Sequence, residues 1–204
     1  MKLLIIGEEN HLKNLIFALK YENMVREICV FLPCDNHKQE IKPTFFHNFR
    51  QLRTDTELQQ FIQNESPLFI VTGEDGVKKR ELHEKLKRLG GFPMSFFSSN
   101  SLISKENHIS NNNVIIQMHC DISVDVTIAE GVEIGAQSLV GHDVKIGAFS
   151  TIGVKSCILG YVEIGENCQI GHGVTIMPSV KIGNNVKISG NQTIKKNMPD
   201  NTSI

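Results

Sequence analysis

The chain has 204 residues, with 21 Lys+Arg against 22 Asp+Glu, so its formal net charge is −1. That balance excludes the basic face that nucleic-acid binding requires. No apolar run approaches the roughly 20 residues that cross a bilayer, and the start MKLLIIGEEN has no cleavable leader pattern. The five cysteines (Cys29, Cys34, Cys120, Cys157, Cys168) form no CxxC, which points to reduced thiols in a cytoplasmic protein and away from disulfides or structural zinc.

From the N-terminus, the pattern alternates strand and helix. Lys2–Gly7 (KLLIIG) reads as a buried strand, and Leu12, Leu15, Ile16 and Leu19 recur at helical spacing over about 10–21. Glu27–Leu32 is a second strand, and Thr54 with Glu57 forms a capping box that opens a helix running to about Asn64. Leu68–Gly73 is a third strand, followed by a helix with Leu82, Leu86 and Leu89 on one face; Phe92–Phe97 is a fourth. Such a series predicts a small parallel α/β sheet in a domain over 1–103. The polar stretch SKENHISNNN, 104–113, reads as a linker.

The composition then changes. Ten of the 11 Phe precede residue 98, whereas 11 of the 16 Gly fall between Gly131 and Gly190. Every sixth residue from Ile116 to Ile194 is Ile or Val, fourteen in all with no insertion. Two positions earlier sits a small or branched residue such as Val126, Val132, Val144 or Cys168, and one position later Gly is common. Neither 3.6 nor 2 generates a period of six. A solenoid of short strands does, with three hexads closing a triangular coil over 114–204. The aliphatic residue is expected to point to the axis, with Gly supplying the corner's backbone freedom.

Taken together, KLLIIG with its helix, LFIVTGEDGVKKR, SFFSSNSLIS, SLVGHDVKIGAFSTIG and NMPDNT resemble the sugar O- and N-acyltransferases of the NeuD/PglD type, within the hexapeptide-repeat acetyltransferases. That resemblance implies a Rossmann-like α/β half and a left-handed parallel β-helix. It also implies a homotrimer with active sites at subunit boundaries, and acetyl-CoA as co-substrate with no metal. The acceptor it implies is a sialic-acid-like or nucleotide-linked sugar in surface-glycan synthesis.

Acetyl transfer needs a base for the acceptor proton and a donor for the developing oxyanion. His142, at a predicted corner and matching the family's catalytic His, is the expected base; Asp143 orients it. Gly160, one coil further, matches the glycine whose N–H faces the acetyl carbonyl. Gly160, Pro178, Lys195 and Lys196 are the expected contacts to the co-substrate. Gly7, Asp35, Gly73, Lys78 and Arg80 are the expected contacts to the acceptor.

The departures from the family are specific. Gly135 stands where well-studied members carry Asn, and Thr151 where many carry a second His. The glycine loop reads Gly7-Glu8-Glu9-Asn10-His11, and two carboxylates there would repel a pyrophosphate by about 1–4 kcal/mol per close pair. That favours a sugar that is free or carries a monophosphate. The usual tail is missing after Ile204, an expected weakening of donor binding. His172 reads as an exposed polar residue, or as a contact to coenzyme A or to a neighbouring subunit. These departures favour a second reading, a non-catalytic trimeric scaffold for a partner enzyme. A γ-type carbonic anhydrase would need two His about five residues apart, a spacing absent from His119, His142 and His172.

Overall fold

The computed structural model describes residues 2–21, 27–31 and 49–204. The first half is a five-stranded parallel sheet built from β1 (Lys2–Gly7), β2 (Glu27–Phe31), β3 (Arg50–Leu52), β4 (Leu68–Thr72) and β5 (Phe92–Pro93), in the order β3-β2-β1-β4-β5. The helices are α1 (Glu9–Tyr21), α2 (Asp55–Glu65) and α3 (Gly76–Arg88). Because the strands are covered on both faces, β1 is apolar and buried from Leu3 to Ile6. Leu3 and Ile5 pack with Leu12, Leu15 and Leu19 of α1, and Leu4 and Ile6 pack with Leu58 and Phe61 of α2 and Leu86 of α3. The Thr54–Glu57 capping box is present, and Asp75 caps α3 by accepting from the Lys78 N–H.

The second half is a triangular solenoid of two-residue strands in three parallel sheets. The first face stacks Phe96–Phe97, Ile115–Ile116, Glu133–Ile134, Thr151–Ile152, Gln169–Ile170 and Lys187–Ile188. The second runs from Leu102–Ile103 through Leu139–Val140 to Thr193–Ile194, and the third from His108–Ile109 to Lys181–Ile182. All fourteen periodic Ile and Val side chains line one buried axis, joined by Val114, Cys120, Val126 and their successors.

Three sequence expectations need correction. The solenoid begins at Phe96, so Phe92–Phe97 is split: Phe92–Pro93 completes the α/β sheet, and Phe96–Phe97 pairs with Ile115–Ile116. The stretch 104–113 is therefore no linker; His108–Ile109 pairs with Thr127–Ile128 as part of a coil. Its polar residues mislead because most of them form solvent-facing corners of the coil, where polar side chains are as common as in a linker. Finally, the glycines that directly follow the axial Ile or Val do not supply positive φ. That conformation falls two residues later, mostly on non-glycine residues such as Gln137, Asp143 and Tyr161, and on glycine at Gly131 and Gly173. Gly147 and Gly153 are glycine because a Cβ would lie 2.5 Å from the backbone of the next coil.

The first face carries the α/β half. Outward residues on the other faces, such as Asp121, Leu139 and Lys145, are exposed, whereas Ile115, Glu133 and Thr151 on the first face are buried. At the junction the Phe149 ring lies 5.4 Å from His83 of α3, and the Arg80 guanidinium stacks on it at 4.7 Å.

Candidate functional site

His142 follows Val140 by two residues, so the strand register that sends Val140 to the axis leaves His142 on the corner between the second and third faces. Its side chain is 51% exposed, and Nδ1 lies 2.9 Å from Asp143 Oδ2. Asp143 takes the left-handed turn of that corner, with φ 58°, which brings its short carboxylate back to the preceding ring. Tyr161 meets the imidazole edge-on at 4.9 Å between ring centres.

One coil further on, a Cβ at Gly160 would lie 2.7 Å from His142 Nε2, so only a bare α-carbon fits beneath the ring. The Gly160 carbonyl accepts from Ser179, while no backbone carbonyl among the described residues accepts from the Gly160 N–H. Pro178 and Lys196 occupy the same corner in the following coils, and both are exposed, as is Lys195. The column thus aligns an imidazole, an open amide one coil further and, two coils or about 10 Å beyond the amide at ordinary strand spacing, a cationic end.

A second region lies across the molecule. Where β1 and β4 end, the order of the α/β sheet reverses, and crevices outside such carboxyl ends are favoured ligand sites. Here a cavity of about 680 Å³ opens between those strand ends and the first face, lined among others by Glu8, His11, Glu74, Glu133, Thr151 and His172. Gly135 and Thr151, the two departures from the family pattern, both line it.

Its floor is a buried polar network. Glu133 is 2% exposed and accepts from the Thr72 hydroxyl at 2.8 Å, the Gln117 amide at 3.0 Å and the Gly73 N–H at 3.3 Å. Its other contact is His11 Nδ1 at 3.2 Å. Lys79 is buried as well, donating to the Thr151 hydroxyl at 2.7 Å and the Gly131 carbonyl at 3.3 Å.

These surroundings shift protonation. Burial opposes charge on His11, but the hydrogen bond and charge of Glu133 outweigh it and raise its pKa. Burial likewise works against the Glu133 carboxylate, yet His11, Lys79 and Thr72 together hold its pKa down. Burial pushes the Lys79 ammonium down to about 8, against the attraction of Glu133.

The expected acceptor residues fall unevenly. Gly7 closes β1 where a Cβ would strike the Thr72 carbonyl at 2.1 Å, and Gly73 lends its N–H to Glu133 and its carbonyl to Thr151. Lys78 points to solvent beside Asp75, and Arg80 is bound to Glu166 at 2.6 Å, so neither reaches the cavity. The anions that offset the basic opening of α3 are therefore protein carboxylates. Asp35 lies outside the described residues. His172 belongs to the cavity wall, its Nδ1 accepting from the Val154 N–H at 3.0 Å. Glu133 escaped sequence reading because an outward hexad position is normally solvated, and Lys79, read only as one of the basic residues opening α3 toward an acceptor anion, instead turns inward to Thr151 and Gly131.

Among the described residues no group of three or more His, Cys, Asp or Glu side chains is placed to hold a metal ion. No helix there is long and apolar enough to cross a membrane.

Residues 161–196 match the bacterial transferase hexapeptide (six repeats) family. No curated protein matches the chain. Among solved structures, PerB from Caulobacter crescentus, in complex with CoA and GDP-perosamine, is 20% identical, with a TM-score of 0.86 over 100% of this chain and 93% of that one. The acetyltransferase domain of PglB from Neisseria gonorrhoeae, in complex with acetyl coenzyme A, is 21% identical, with a TM-score of 0.85 over 99% of this chain and 94% of that one. WeeI from Acinetobacter baumannii is 16% identical, with a TM-score of 0.75 over 100% of this chain and 96% of that one. Along its whole length, then, the chain has the fold of these proteins.

Proposed function

We propose that the protein is an acetyltransferase that moves acetyl from acetyl-CoA to an amine or hydroxyl of a sugar, nucleotide-linked or sialic-acid-like. The observation that carries this reading is the His142–Gly160 column. With Nδ1 tied to Asp143, His142 Nε2 takes the acceptor proton as the acceptor attacks the thioester carbon. The oxyanion that forms accepts from the open Gly160 N–H. Collapse expels the thiolate of CoA, which recovers the proton from His142. Pro178, Lys195 and Lys196 extend the same corner toward the phosphates of the co-substrate.

The cavity over the first face is the acceptor site in this reading, supported by its polar lining and its place at the sheet's reversal point. Within one chain it lies at the corner between the first and second faces, while His142 lies between the second and third. The second face between them exposes Leu102 and Leu139, with Tyr161 and Met177 at its far corner. Rotating copies around that face brings one chain's His142 against its neighbour's cavity, and such a head-to-tail contact closes into a ring. A cytoplasmic homotrimer of left-handed coils, each carrying a Rossmann-like half, is the corresponding assembly.

The test is CoA release from acetyl-CoA across a panel of amino sugars, sialic-type acids and their nucleotide forms. Acetyl-CoA at 100-fold over its Kd should also stabilise the fold by about 2.7 kcal/mol. Neither turnover with any acceptor nor stabilisation by millimolar donor would leave the scaffold reading.

A further inference from the structure

We propose that Glu133 is a positioning residue for His11, fixing the tautomer and orientation of its ring so that Nε2 is the atom presented to an acceptor in the cavity. The acceptor half of this inference rests on the function proposed above; the Glu133–His11 half does not.

The geometry is built from four segments of the chain, around His11, Thr72–Gly73, Gln117 and Glu133. The turn of the ring is set by Nδ1, 3.2 Å from Glu133 Oε1. Glu133 cannot rotate to follow another partner, because Thr72 and Gly73 at the end of β4 and Gln117 of the neighbouring coil occupy its remaining acceptor positions. A buried carboxylate held by several donors is a rigid reference point, and one that accepts from Nδ1–H leaves the lone pair of a neutral imidazole on Nε2. His11 lines the cavity, and its Nε2 lies 3.7 Å from a Glu74 carboxylate oxygen.

The charged groups that face His11 are Glu8 just before α1, Glu74 after β4, and Glu133 from the first face; Lys79 of α3 acts on Glu133 from the other side. The excess of carboxylates suits an acceptor that arrives as an ammonium or hydroxyl donor. Nε2 then accepts one hydrogen bond from it, and Glu74 stands beside that bond.

The arrangement is particular to this hexad. The corresponding outward positions of the same face are Ile115, Thr151, Gln169 and Lys187, and only Glu133 is a carboxylate. The pairing spans 122 residues of sequence.

The test uses residue-specific NMR titration of His11 in the full-length protein. In the wild type the neutral ring carries its proton on Nδ1. Glu133→Gln keeps the shape and most hydrogen bonds but removes the charge, and should move the His11 midpoint toward acid by about 1–2 pH units. Glu133→Leu should abolish the Nδ1–H preference; if it does not fold, Glu133→Gln alone decides. His142→Ala should leave the His11 titration in place. An unchanged His11 midpoint and tautomer in folded Glu133→Gln overturns the positioning role.

The acceptor half is read by binding, without turnover. A nucleoside-diphosphate amino sugar and the free amino sugar are titrated separately, and the expected result is a shift of the His11 resonances by at least one of them. His11→Asn and Glu133→Gln should each weaken that ligand's Kd about tenfold. If both sugars bind with His11 unperturbed and Kd unchanged in both variants, or neither binds, the acceptor half falls. Loss of CoA release with His11 contacts intact would instead fault the transfer reading.

Discussion

His142 and His11 each sit beside a carboxylate, and their surroundings could hardly differ more. His142 and Asp143 are neighbours in sequence and sit on a solvent-facing corner of the solenoid, where the ring meets Tyr161. His11 and Glu133 come from opposite halves of the chain, with side chains 17% and 3% exposed, and their meeting helps seal one half onto the other. A pair on a corner can be lost with little effect on the fold, because water replaces each partner. A pair at a junction cannot, because its loss leaves other groups buried and unpaired. Chemistry and stability should therefore separate cleanly between the two regions.

The largest effect expected is on turnover. His142→Ala should lower kcat by about 10²–10⁴-fold in a thiol-release assay. Its urea midpoint should match the wild type within about 0.5 kcal/mol, as for other exposed substitutions. Full turnover in this variant would remove His142 from the mechanism.

The converse holds at the junction. Glu133→Ala removes the acceptor that satisfies Thr72, Gly73, Gln117 and His11 at once, and with it the carboxylate that most favours the Lys79 charge. Breaking a buried charged pair costs about 3–5 kcal/mol. Asp143→Ala, which breaks the solvent-exposed pair, should cost under about 1 kcal/mol. Equal losses in denaturant unfolding would show that the two pairs are not energetically distinct.

Between these extremes lies Gly160→Ala. The added Cβ would lie 2.7 Å from His142 Nε2, and the ring is free to swing outward, so the fold yields cheaply. The imidazole proposed as the base, however, is displaced by about an ångström, which at a reacting centre costs on the order of 10²-fold. The expected outcome is a fall in kcat with an unchanged melting temperature; retained kcat would mean that the ring need not lie over the glycine.

The same contrast explains what could be read from sequence. The period of six exposes the axis directly, because each core contact is repeated and needs no knowledge of a partner: Ile116 to Ile194 are all buried as the spacing requires. His142 was legible for the same reason, since its corner follows from the register of Val140. The cavity was not. Glu133 occupies the same hexad position as the exposed Lys187, and only the docking of α1, β4 and α3 on that stretch of the face buries it. Lys79 was hidden in a run of three basic residues, of which Lys78 faces water, Arg80 bonds Glu166 and only Lys79 turns inward. The start of the solenoid at Phe96 was missed because its first strand carries Phe at positions that later coils fill with Ile.

The smallest effect sharpens the comparison within the junction itself, where two histidines should pull stability in opposite directions as pH changes. His83 of α3 is wholly buried between the edges of Phe69 and Phe149, each 5.4 Å away, and neither ring nitrogen has a hydrogen-bond partner among the described residues. Burial lowers its pKa below the ordinary value. The unfolded chain then binds a proton that the folded one refuses, so this contribution is present above about pH 6.5 and is lost as pH falls through it. His11 has the opposite sign: its folded pKa is raised, so its contribution is present at low pH and lost as pH rises through the folded value. Replacing His83 by Phe keeps the aromatic contacts and removes the proton. Urea midpoints at pH 5.5 and 7.5 should therefore differ less in His83→Phe than in the wild type. His11→Asn should change the difference the other way, steepening the loss on acidification. If His83→Phe leaves the wild-type pH dependence intact, the proton responsible is taken up elsewhere, and the His83 ring is not the group that resists acid in this junction.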